Sequence, residues 1–430
     1  MPTTGAPTNW AGNITFGAAR VHHPASLDEL RRIVGSAERV RTLGTGHSFN
    51  RIADTSGDLI RLDRMPHRVE IDPGGSRVTV AAGMRYAQVA EALQAAGHAL
   101  ANLASLPHIT VAGACATGTH GSGDTQRALA ASVAGLEIVG PEGDLTRLSR
   151  ETDADRLAGA VVSLGGLGVV TGVTLDIEPS YEVAQWVYDG LPLDRLADSF
   201  DEVSGAAYSV SVFTDWYSGS GVVWLKCRAD RPGPPRPGQP WLGARPADGP
   251  RHPVPGMPTS HCTPQAGVAG PWHERLPHFR PDFTPSSGEE LQSELILPRG
   301  AAPGAFAALR RLGGRIAPVL LVSEVRTIAA DELWLSPAYG RDCVALHFTW
   351  KPDRAPVMDV IAAIEEELLP LGARPHWGKL TAAAPGDVVA GYERAADFGR
   401  LLREHDPAGK FRNPYLDRLF PLGRGLASPG

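Results

Sequence analysis

Two strand-like segments carry reactive side chains two residues apart. In "SEVRT", Glu324 and Arg326 flank Val325, and in "ALHFTW", His347 and Thr349 alternate with apolar residues. Residues at i and i+2 of a strand project from the same face, so each pair shares one face of a predicted sheet. A face that bears a carboxylate, a guanidinium, an imidazole and a hydroxyl is either solvated or the wall of a polar pocket. The spacing alone leaves both alternatives open.

Two further polar residues fit the same pattern, and a lone lysine does not. Gln292 and Glu294 in "LQSEL" share a strand face and would support such a pocket from behind. Lys379 in "HWGKL", taken by itself, is most simply a surface lysine.

Glycine-rich segments mark the first third of the chain. "RTLGTGHSFN", Arg41 to Asn50, places Gly-x-Gly after a short strand, which is typical of a loop that wraps a phosphate. The residues that follow carry no helical stripe, which argues against a Rossmann fingerprint, and there is no Gly-Lys-Ser/Thr of a Walker A loop. Two more runs, 113–123 and 164–172, combine glycines with small residues and leave backbone N–H groups accessible to an anion. Three such loops predict an extended cofactor, with tight turns as the alternative.

The elements around these loops alternate between helix and strand. Ser26 and Glu29 form a capping box before an apolar stripe, and "RYAQVAEALQAAG" is a second helix that ends at Gly97. "RVRTL", "DLIRLD" and "SRVTVAAG" are predicted strands, and a hairpin turns at 141–143. The segment 103–123 is too rich in Gly, Thr and Ser to predict a regular element.

From about residue 179 strand patterns dominate. The segments predict a mixed, largely antiparallel sheet with helices on one side, hence an α+β fold. The Pro-rich stretch 231–258 has few apolar residues and is predicted to be a long surface loop. We divide the chain into a first domain, 1–178, a cap domain, 179–395, and a C-terminal segment, 396–430, that returns to the first domain.

The composition restricts the class of protein. The chain has 430 residues, 43% of them hydrophobic, and a net charge of -6, which gives no electrostatic preference for nucleic acid or anionic membranes. No apolar run reaches the length of a membrane span, and the four cysteines form no Cys-x-x-Cys pair. We expect a cytoplasmic monomer without a metal. A zinc site built on His252, His261 and Cys262 is a weak alternative, because their spacing is irregular.

Several motifs in order resemble one family over nearly the whole chain. "GTGHSFN", "NLASLPHITVAGACATGTHGSG" and "LGGLGVVTGVTL", followed by "SEVRTIAADELWLSPAYGRD", "HFTWK" and "DPAGKFRNPYLDRLF", are similar to vanillyl-alcohol-oxidase (PCMH) type FAD flavoproteins. Within that group the chain most resembles the bacterial alditol oxidases, and sugar-lactone oxidases of the gulonolactone type are more distant. The resemblance implies a two-part FAD-binding domain and a substrate-binding cap.

The same resemblance implies positions for the cofactor. His47 corresponds to the histidine that is bonded covalently to the 8α-methyl carbon of FAD, a link that makes the flavin a stronger oxidant and holds its ring in place. His376 would lie beside the flavin, and His120 either lines it or fixes its loop. The remaining cofactor-binding positions are Gly44, Thr45, Gly46, Ser48, Ser105, Thr110, Gly113, Thr117, Gly118, Thr119, Gly172 and Val173.

On the substrate side the resemblance favours the polar pocket. It places Ser105, Glu324, Arg326, Thr349 and Lys379 around the hydroxyls of a polyol, where buried polar groups need matched partners. The implied reaction is oxidation of a terminal CH–OH group of xylitol, sorbitol or a related alditol to the aldose. Hydride would pass to flavin N5 at about 3–3.5 Å, and O2 would reoxidise the flavin to give H2O2. The base that takes the hydroxyl proton is His347 or Lys379.

Other functions stay open at this stage. A sugar-1,4-lactone oxidase or dehydrogenase would use part of the same residue set. Ala104 lies where the resemblance suggests the path of O2, and an alanine there could restrict oxygen and favour another electron acceptor. A non-catalytic flavin-binding or sugar-binding protein is the alternative outside the enzymes.

Overall fold

The computed structural model describes residues 6–233, 237–282 and 289–421. Its helices follow the apolar stripes of the sequence. At the start of the first helix the Ser26 hydroxyl accepts a hydrogen bond from the Glu29 N–H at 3.2 Å, which confirms Ser26 as the N-cap. The Glu29 carboxylate accepts from the Ala25 N–H at 2.8 Å, one residue before the Ser26 N–H that a capping box would use. The helices are α1 Leu27–Ser36, α2 Tyr86–Ala95, α3 Val111–Ala116, α4 Ala154–Val161, α5 Leu193–Asp198, α6 Phe200–Ser204, α7 Ala302–Ile316, α8 Arg354–Leu368, α9 Pro385–Ala390, α10 Ala395–His405 and α11 Pro414–Leu419.

The first part of the chain forms three small sheets. A three-stranded parallel sheet has the order β1-β3-β2, β10 pairs with β6, and a five-stranded sheet has the order β4-β5-β9-β7-β8. The predicted hairpin at 141–143 joins β7 to β8. The strands are β1 Arg20–His22, β2 Val40–Thr42, β3 Asp58–Ile60, β4 Val69–Ile71, β5 Arg77–Ala81, β6 His98–Ala99, β7 Val133–Val139, β8 Leu145–Ser149, β9 Val169–Asp176 and β10 Glu178–Pro179.

The second part forms one large antiparallel sheet. Its nine strands follow the order β14-β11-β13-β12-β17-β18-β16-β19, with β15 paired to β11. The two long helices α7 and α8 pack together, which agrees with the α+β prediction. The strands are β11 Glu182–Pro192, β12 Ser209–Thr214, β13 Ser220–Arg228, β14 Arg245–Pro246, β15 Gly270–Pro271, β16 Leu291–Pro298, β17 Leu320–Ile328, β18 Cys343–Trp350 and β19 Arg374–Pro375.

Two segment predictions were wrong. The segment 103–123, predicted to have no regular element, contains the short helix α3. Its residues Val111, Ala114 and Cys115 are buried, so packing stabilises a helix that the Gly, Thr and Ser content disfavours. The Pro-rich stretch is not only a surface loop. Its Trp241 is buried in the core of the large sheet, and β14 adds to the edge of that sheet.

The C-terminal residues pack with the first part of the chain. Phe398, Phe411 and Leu416 share a buried cluster with Val34 and Val139. The boundaries at 178 and 395 stay a prediction, and residues 422–430 of the proposed C-terminal segment lie outside the described ranges.

The four cysteines, all within the described residues, form no disulfide and are all buried: Cys115, Cys227, Cys262 and Cys343. None of the helices that the structure describes has the length and apolarity that a bilayer crossing requires.

Candidate active site

A cavity of about 630 Å³ is lined by both the glycine loops and the large sheet. Its volume lies within the roughly 300–1,000 Å³ typical of ligand sites. One part of the lining comes from the loop 44–50 and the segments 104–120 and 163–170, and another part comes from β16, β17 and β18. The cavity therefore brings the two sets of sequence motifs to one place.

Strand register places the polar side chains in one row. Glu324 of β17 pairs with His347 of β18, and His347 pairs with Glu294 of β16. In the neighbouring row Thr349 pairs with Gln292. All five side chains line the cavity. The alternating apolar residues lie in the core on the other face: Val325, Leu346 and Phe348.

Glu294 and Arg326 form the buried centre of this wall. The Arg326 Nη2 lies 2.6 Å from Glu294 Oε1, and its Nε lies 3.5 Å from Glu324 Oε2. Glu294 also lies 3.1 Å from the His120 Nε2. Burial by itself would raise the pKa of each carboxyl, but the adjacent Arg326 guanidinium and nearby histidines hold both pKa values well below their usual range. Both carboxylates are therefore charged, and both form ion pairs with Arg326.

His347 has one nitrogen toward a carboxylate and one toward a hydroxyl. Its Nδ1 lies 3.5 Å from Glu294 Oε2, and its Nε2 lies 3.3 Å from Thr349 Oγ1. Burial lowers the pKa of His347, so the ring is neutral at pH 7. A proton on Nδ1 faces the carboxylate, which leaves the Nε2 lone pair on the side of Thr349.

Lys379 and His376 lie in the turn that runs beside β16, where the His376 N–H donates to the Glu294 carbonyl oxygen at 3.0 Å. The Lys379 ammonium donates to Gln292 Oε1 and lies 5.0 Å from the centre of the Phe49 ring. Burial lowers the pKa of Lys379 to about 8, with Glu294 acting in the opposite direction. His376 Nδ1 accepts from the Gly378 N–H at 3.0 Å, and burial lowers the pKa of His376 to about 3. Lys379 is thus mostly charged at pH 7, and His376 is neutral.

His47 lies half-buried in the loop 44–50 of the cavity lining. Its Nδ1 lies 3.0 Å from Thr45 Oγ1, and among the described residues its Nε2 has no hydrogen-bond partner. The Trp10 ring stacks on the imidazole, with 4.9 Å between ring centres and 18° between planes. Burial, and then the charge of Lys379, lower the pKa of His47 to about 3. The result is a fixed, neutral imidazole at the cavity wall.

Most of the predicted cofactor positions line the cavity. Gly118, Gly172 and Val173 do not: Gly118 packs against Pro337, and Gly172 and Val173 lie in the five-stranded sheet. Gly165, Gly168 and Val170 line the wall near them instead. The predicted residues at the wall are Gly44, Thr45, Gly46, His47, Ser48, Ser105, Thr110, Gly113, Thr117, Thr119, His120, Glu324, Arg326, His347, Thr349, His376 and Lys379.

The residues present fit an FAD molecule. The imidazole Nε2 of His47, buried without a partner in the described part of the chain, is the atom type that a covalent or polar contact to a ligand would satisfy. A Cβ atom on Gly44 or on Gly113 would clash with the Thr110 side chain. Both glycines therefore pack their backbone directly against Thr110, and both line the cavity. Small residues at this wall leave space for a planar ring system and a diphosphate.

Several cavity residues were missed by the sequence reasoning. Trp10 lies far upstream of the motifs and carries no pattern. His278 Nε2 lies 2.8 Å from Glu324 Oε1, although "LPHF" gives no periodic signal. The Pro-rich stretch also contributes His252, Val254 and Met257, and Met257 is 48% exposed at the wall. This stretch therefore forms part of the cavity rim.

The zinc alternative requires three ligands close together. Across 6–233, 237–282 and 289–421 there is no group of three or more His, Cys, Asp or Glu side chains that could hold a metal ion. His252 instead uses its Nδ1 on the backbone of Val254.

Comparisons with known proteins place these features in a family. A family model described as an FAD binding domain matches residues 18–149, and one described as D-arabinono-1,4-lactone oxidase matches residues 291–419. An alditol oxidase of Streptomyces sp. (strain IKD472 / FERM P-14339) is 51% identical, over 96% of this chain and 99% of the relative.

More distant relatives cover the same length. The L-gulonolactone oxidase of Bos taurus is 27% identical over 96% of this chain and 97% of its own. The L-gulono-1,4-lactone dehydrogenase of Mycobacterium tuberculosis is 27% identical over 96% of this chain and 98% of its own. Among solved structures, cholesterol oxidase from B. sterolicum superposes with a TM-score of 0.75 at 15% identity, covering 97% of this chain and 96% of that chain, which shows a shared fold.

Proposed function

The chain belongs to the alditol oxidase family of FAD-dependent oxidoreductases that act on CH–OH donors, and from this premise we propose that it oxidises a terminal hydroxymethyl group of xylitol, sorbitol or a related polyol to the aldose. The observation that carries the proposal is the row Glu324, His347 and Glu294, with Thr349 and Lys379 beside it, in the same cavity as the His47 loop.

The charge balance of this wall supports a neutral, hydroxyl-rich substrate. Arg326 is bound to Glu294 and Glu324, so its charge is already compensated. A site for a carboxylate substrate would keep such a guanidinium free. The wall instead presents acceptors on Glu324 and donors on Thr349 and Lys379, which match hydroxyls that both donate and accept.

The geometry supports His347 as the base. Its neutral ring has Nδ1 near Glu294 and an Nε2 lone pair near Thr349, where a substrate hydroxyl would replace or join the threonine hydroxyl. The substrate gives its hydroxyl proton to Nε2 as its carbon loses hydride. Lys379, charged below a pKa of about 8, stabilises negative charge on the substrate oxygen or on the cofactor.

When bound, FAD accepts the hydride and is reoxidised by O2, giving H2O2. We propose that His47 holds it covalently. Support comes from the neutral imidazole, its Trp10 stack and its buried Nε2, which lacks a partner within the described residues. Gly44 to Ser48 and the segment 105–120 would contact the cofactor, with His376 beside the flavin. A monomeric, cytoplasmic protein remains part of the proposal.

The tether is tested by acid precipitation of the purified protein. We expect the yellow chromophore to stay with the pellet in the native protein and in His67→Ala, which changes an exposed histidine. In His47→Ala the chromophore should move to the supernatant. A native protein that releases its flavin contradicts the covalent link, and a colourless protein contradicts FAD binding.

The substrate class is tested by a panel of xylitol, sorbitol and gulonolactone with H2O2 as the readout. Rapid oxidation of the two polyols supports the proposal. Preference for the lactone favours the alternative suggested by the D-arabinono-1,4-lactone oxidase match to residues 291–419. Reduction of a dye without H2O2 formation indicates a dehydrogenase.

A further inference from the structure

A lysine lies fully inside the large sheet, behind the cavity wall. Lys226 of β13 is 1% exposed. Its ammonium donates to the carbonyl oxygen of Leu276, to that of Pro277 at 3.1 Å, and lies 3.0 Å from His278 Nδ1. An ammonium has three N–H donors and no acceptor, so all three are directed to these partners. Lys226 does not line the cavity.

His278 connects this lysine to the substrate wall. Because the ammonium can only donate, His278 Nδ1 must accept, and the proton of the neutral ring lies on Nε2. That nitrogen is 2.8 Å from Glu324 Oε1. Phe213 and Trp224 contact the imidazole edge to face, with ring centres 5.4 and 5.2 Å away. The ring is therefore fixed in both position and tautomer.

We propose that Lys226 is a positioning residue for the reaction: through His278 it holds the Glu324 carboxylate toward the substrate hydroxyls. This inference rests on the proposed function, since it takes Glu324 as a ligand of the polyol. Without the ammonium, His278 can place its proton on Nδ1, and its Nε2 lone pair then faces the carboxylate. Glu324 would lose the His278 donor, keep only Arg326 at 3.5 Å from its other oxygen, and turn from the substrate.

The charges around Lys226 give the arrangement a pH dependence. The groups that face it are Glu324, Arg326, His278 and Cys262. Burial, opposed by the charge of Glu324 and assisted by that of Arg326, lowers the pKa of Lys226 to about 7. As the pH rises through about 7, the amine gains a lone pair and no longer fixes the tautomer of His278. We therefore expect the KM for the polyol to rise in that range.

A double-mutant cycle on the FAD-loaded enzyme tests the relay. Lys226→Met should raise the KM for xylitol about tenfold, with a smaller change in kcat. In the Glu324→Gln background the same change should add less than about twofold, because the group it positions has lost its charge. Where a variant turns over too slowly for a KM, the dissociation constant of xylose, the aldose product, is measured from the change in flavin absorbance. This constant is then compared among the same four proteins of the cycle. Additive effects would overturn the proposal.

Conservative variants keep the test informative if Lys226→Met fails to fold. His278→Gln retains an amide N–H near the position of Nε2 and should recover most of the affinity that His278→Leu loses. Equal losses in the two variants argue against the relay. The KM of Lys226→Met should also no longer change between pH 6 and 8.

Lys410→Met is the matched control. Lys410 also donates to backbone carbonyls, those of Val34 at 2.9 Å and Pro141 at 2.5 Å, but it lies outside the cavity. It should lower thermal stability without changing the KM. If Lys226→Met behaves in the same way, its role is structural and the inference fails. If the native enzyme neither oxidises nor binds a polyol, the proposed function fails, and the relay fails with it.

Discussion

At the residue scale, the ionisation of Lys379 sets the working pH range. Its ammonium is charged below the pKa of about 8, which burial has lowered from 10.5. Between these two values the unfolded chain binds the proton and the folded chain does not, so stability rises with pH in that window. The charge that we propose acts on the substrate is lost in the same window. Activity and stability should therefore change in opposite directions.

The first prediction concerns this activity. We expect kcat for xylitol to fall as the pH rises through about 8, because the neutral amine no longer stabilises negative charge. Lys379→Met should show a low and flat profile, and Lys379→Arg should move the decline to higher pH. The measurement is kcat from pH 6 to 10. A rise through pH 8 would make Lys379, rather than His347, the base.

Spacing could predict some residues of the site but not others. The period of two in strands placed Glu324, Arg326, His347 and Thr349 on one face, because backbone geometry alone decides that. His278 reaches Glu324 from a segment without periodicity, so only the tertiary structure reveals it. Lys226 did leave a signal: it is the single charged residue within the apolar run "VVWLKC".

At the element scale, two glycine loops close on one threonine. A Cβ on Gly44 would lie 2.2 Å from Thr110 Oγ1, and a Cβ on Gly113 would lie 2.8 Å from the same atom. Thr110 is the N-cap residue of α3. The loop 44–46 and the start of this helix are therefore in direct contact, which a reading of each loop alone does not reveal.

The second prediction follows from this contact. Gly44→Ala should displace Thr110 and reduce the FAD content of the purified protein, measured as the ratio of flavin to protein absorbance. Gly44→Ala combined with Thr110→Ala should recover FAD content to the level of Thr110→Ala alone, since the clashing hydroxyl is gone. Gly314→Ala in α7 is the control, because nothing lies within 4 Å of its Cβ position. No recovery in the double variant would contradict the steric explanation.

Element predictions succeeded where local sequence decides the structure. The helix α1 has a cap and an amphipathic stripe, and the hairpin at 141–143 has a turn signal between two strands. The helix α3 was missed because its six residues are stabilised by burial of Val111, Ala114 and Cys115 rather than by propensity.

At the scale of the whole molecule, the C-terminal segment closes the first part of the chain. The Asn413 amide donates to the carbonyl oxygens of Arg51, Ile52 and Asp54 at 3.2, 3.1 and 2.9 Å. The buried Arg41 guanidinium donates to Phe411 O at 2.8 Å and Gly165 O at 2.9 Å. These bonds join segments hundreds of residues apart, so the sequence alone suggested only that the tail returns.

The third prediction tests this closure. Asn413→Ala leaves several buried carbonyl groups without their donor and should cost about 1–3 kcal/mol of stability. Differential scanning calorimetry should show a lower unfolding midpoint. Arg418→Ala, an exposed change on the same helix α11, should stay within about 0.5 kcal/mol of the native protein. Equal midpoints for both variants would show that the tail contributes little.

The burial of the four thiols has a consequence for an enzyme that releases an oxidant with every turnover. Burial raises the pKa of Cys115, Cys262 and Cys343 to about 11 and that of Cys227 to about 12, and peroxide attacks the thiolate rather than the protonated thiol. Met257, a thioether on the cavity rim, has no such protection. Oxidative inactivation during turnover should therefore begin with oxidation of the Met257 thioether to the sulfoxide, a gain of one oxygen atom in the mass of the protein. Met257→Leu should increase the number of turnovers that each enzyme molecule completes before it is inactivated.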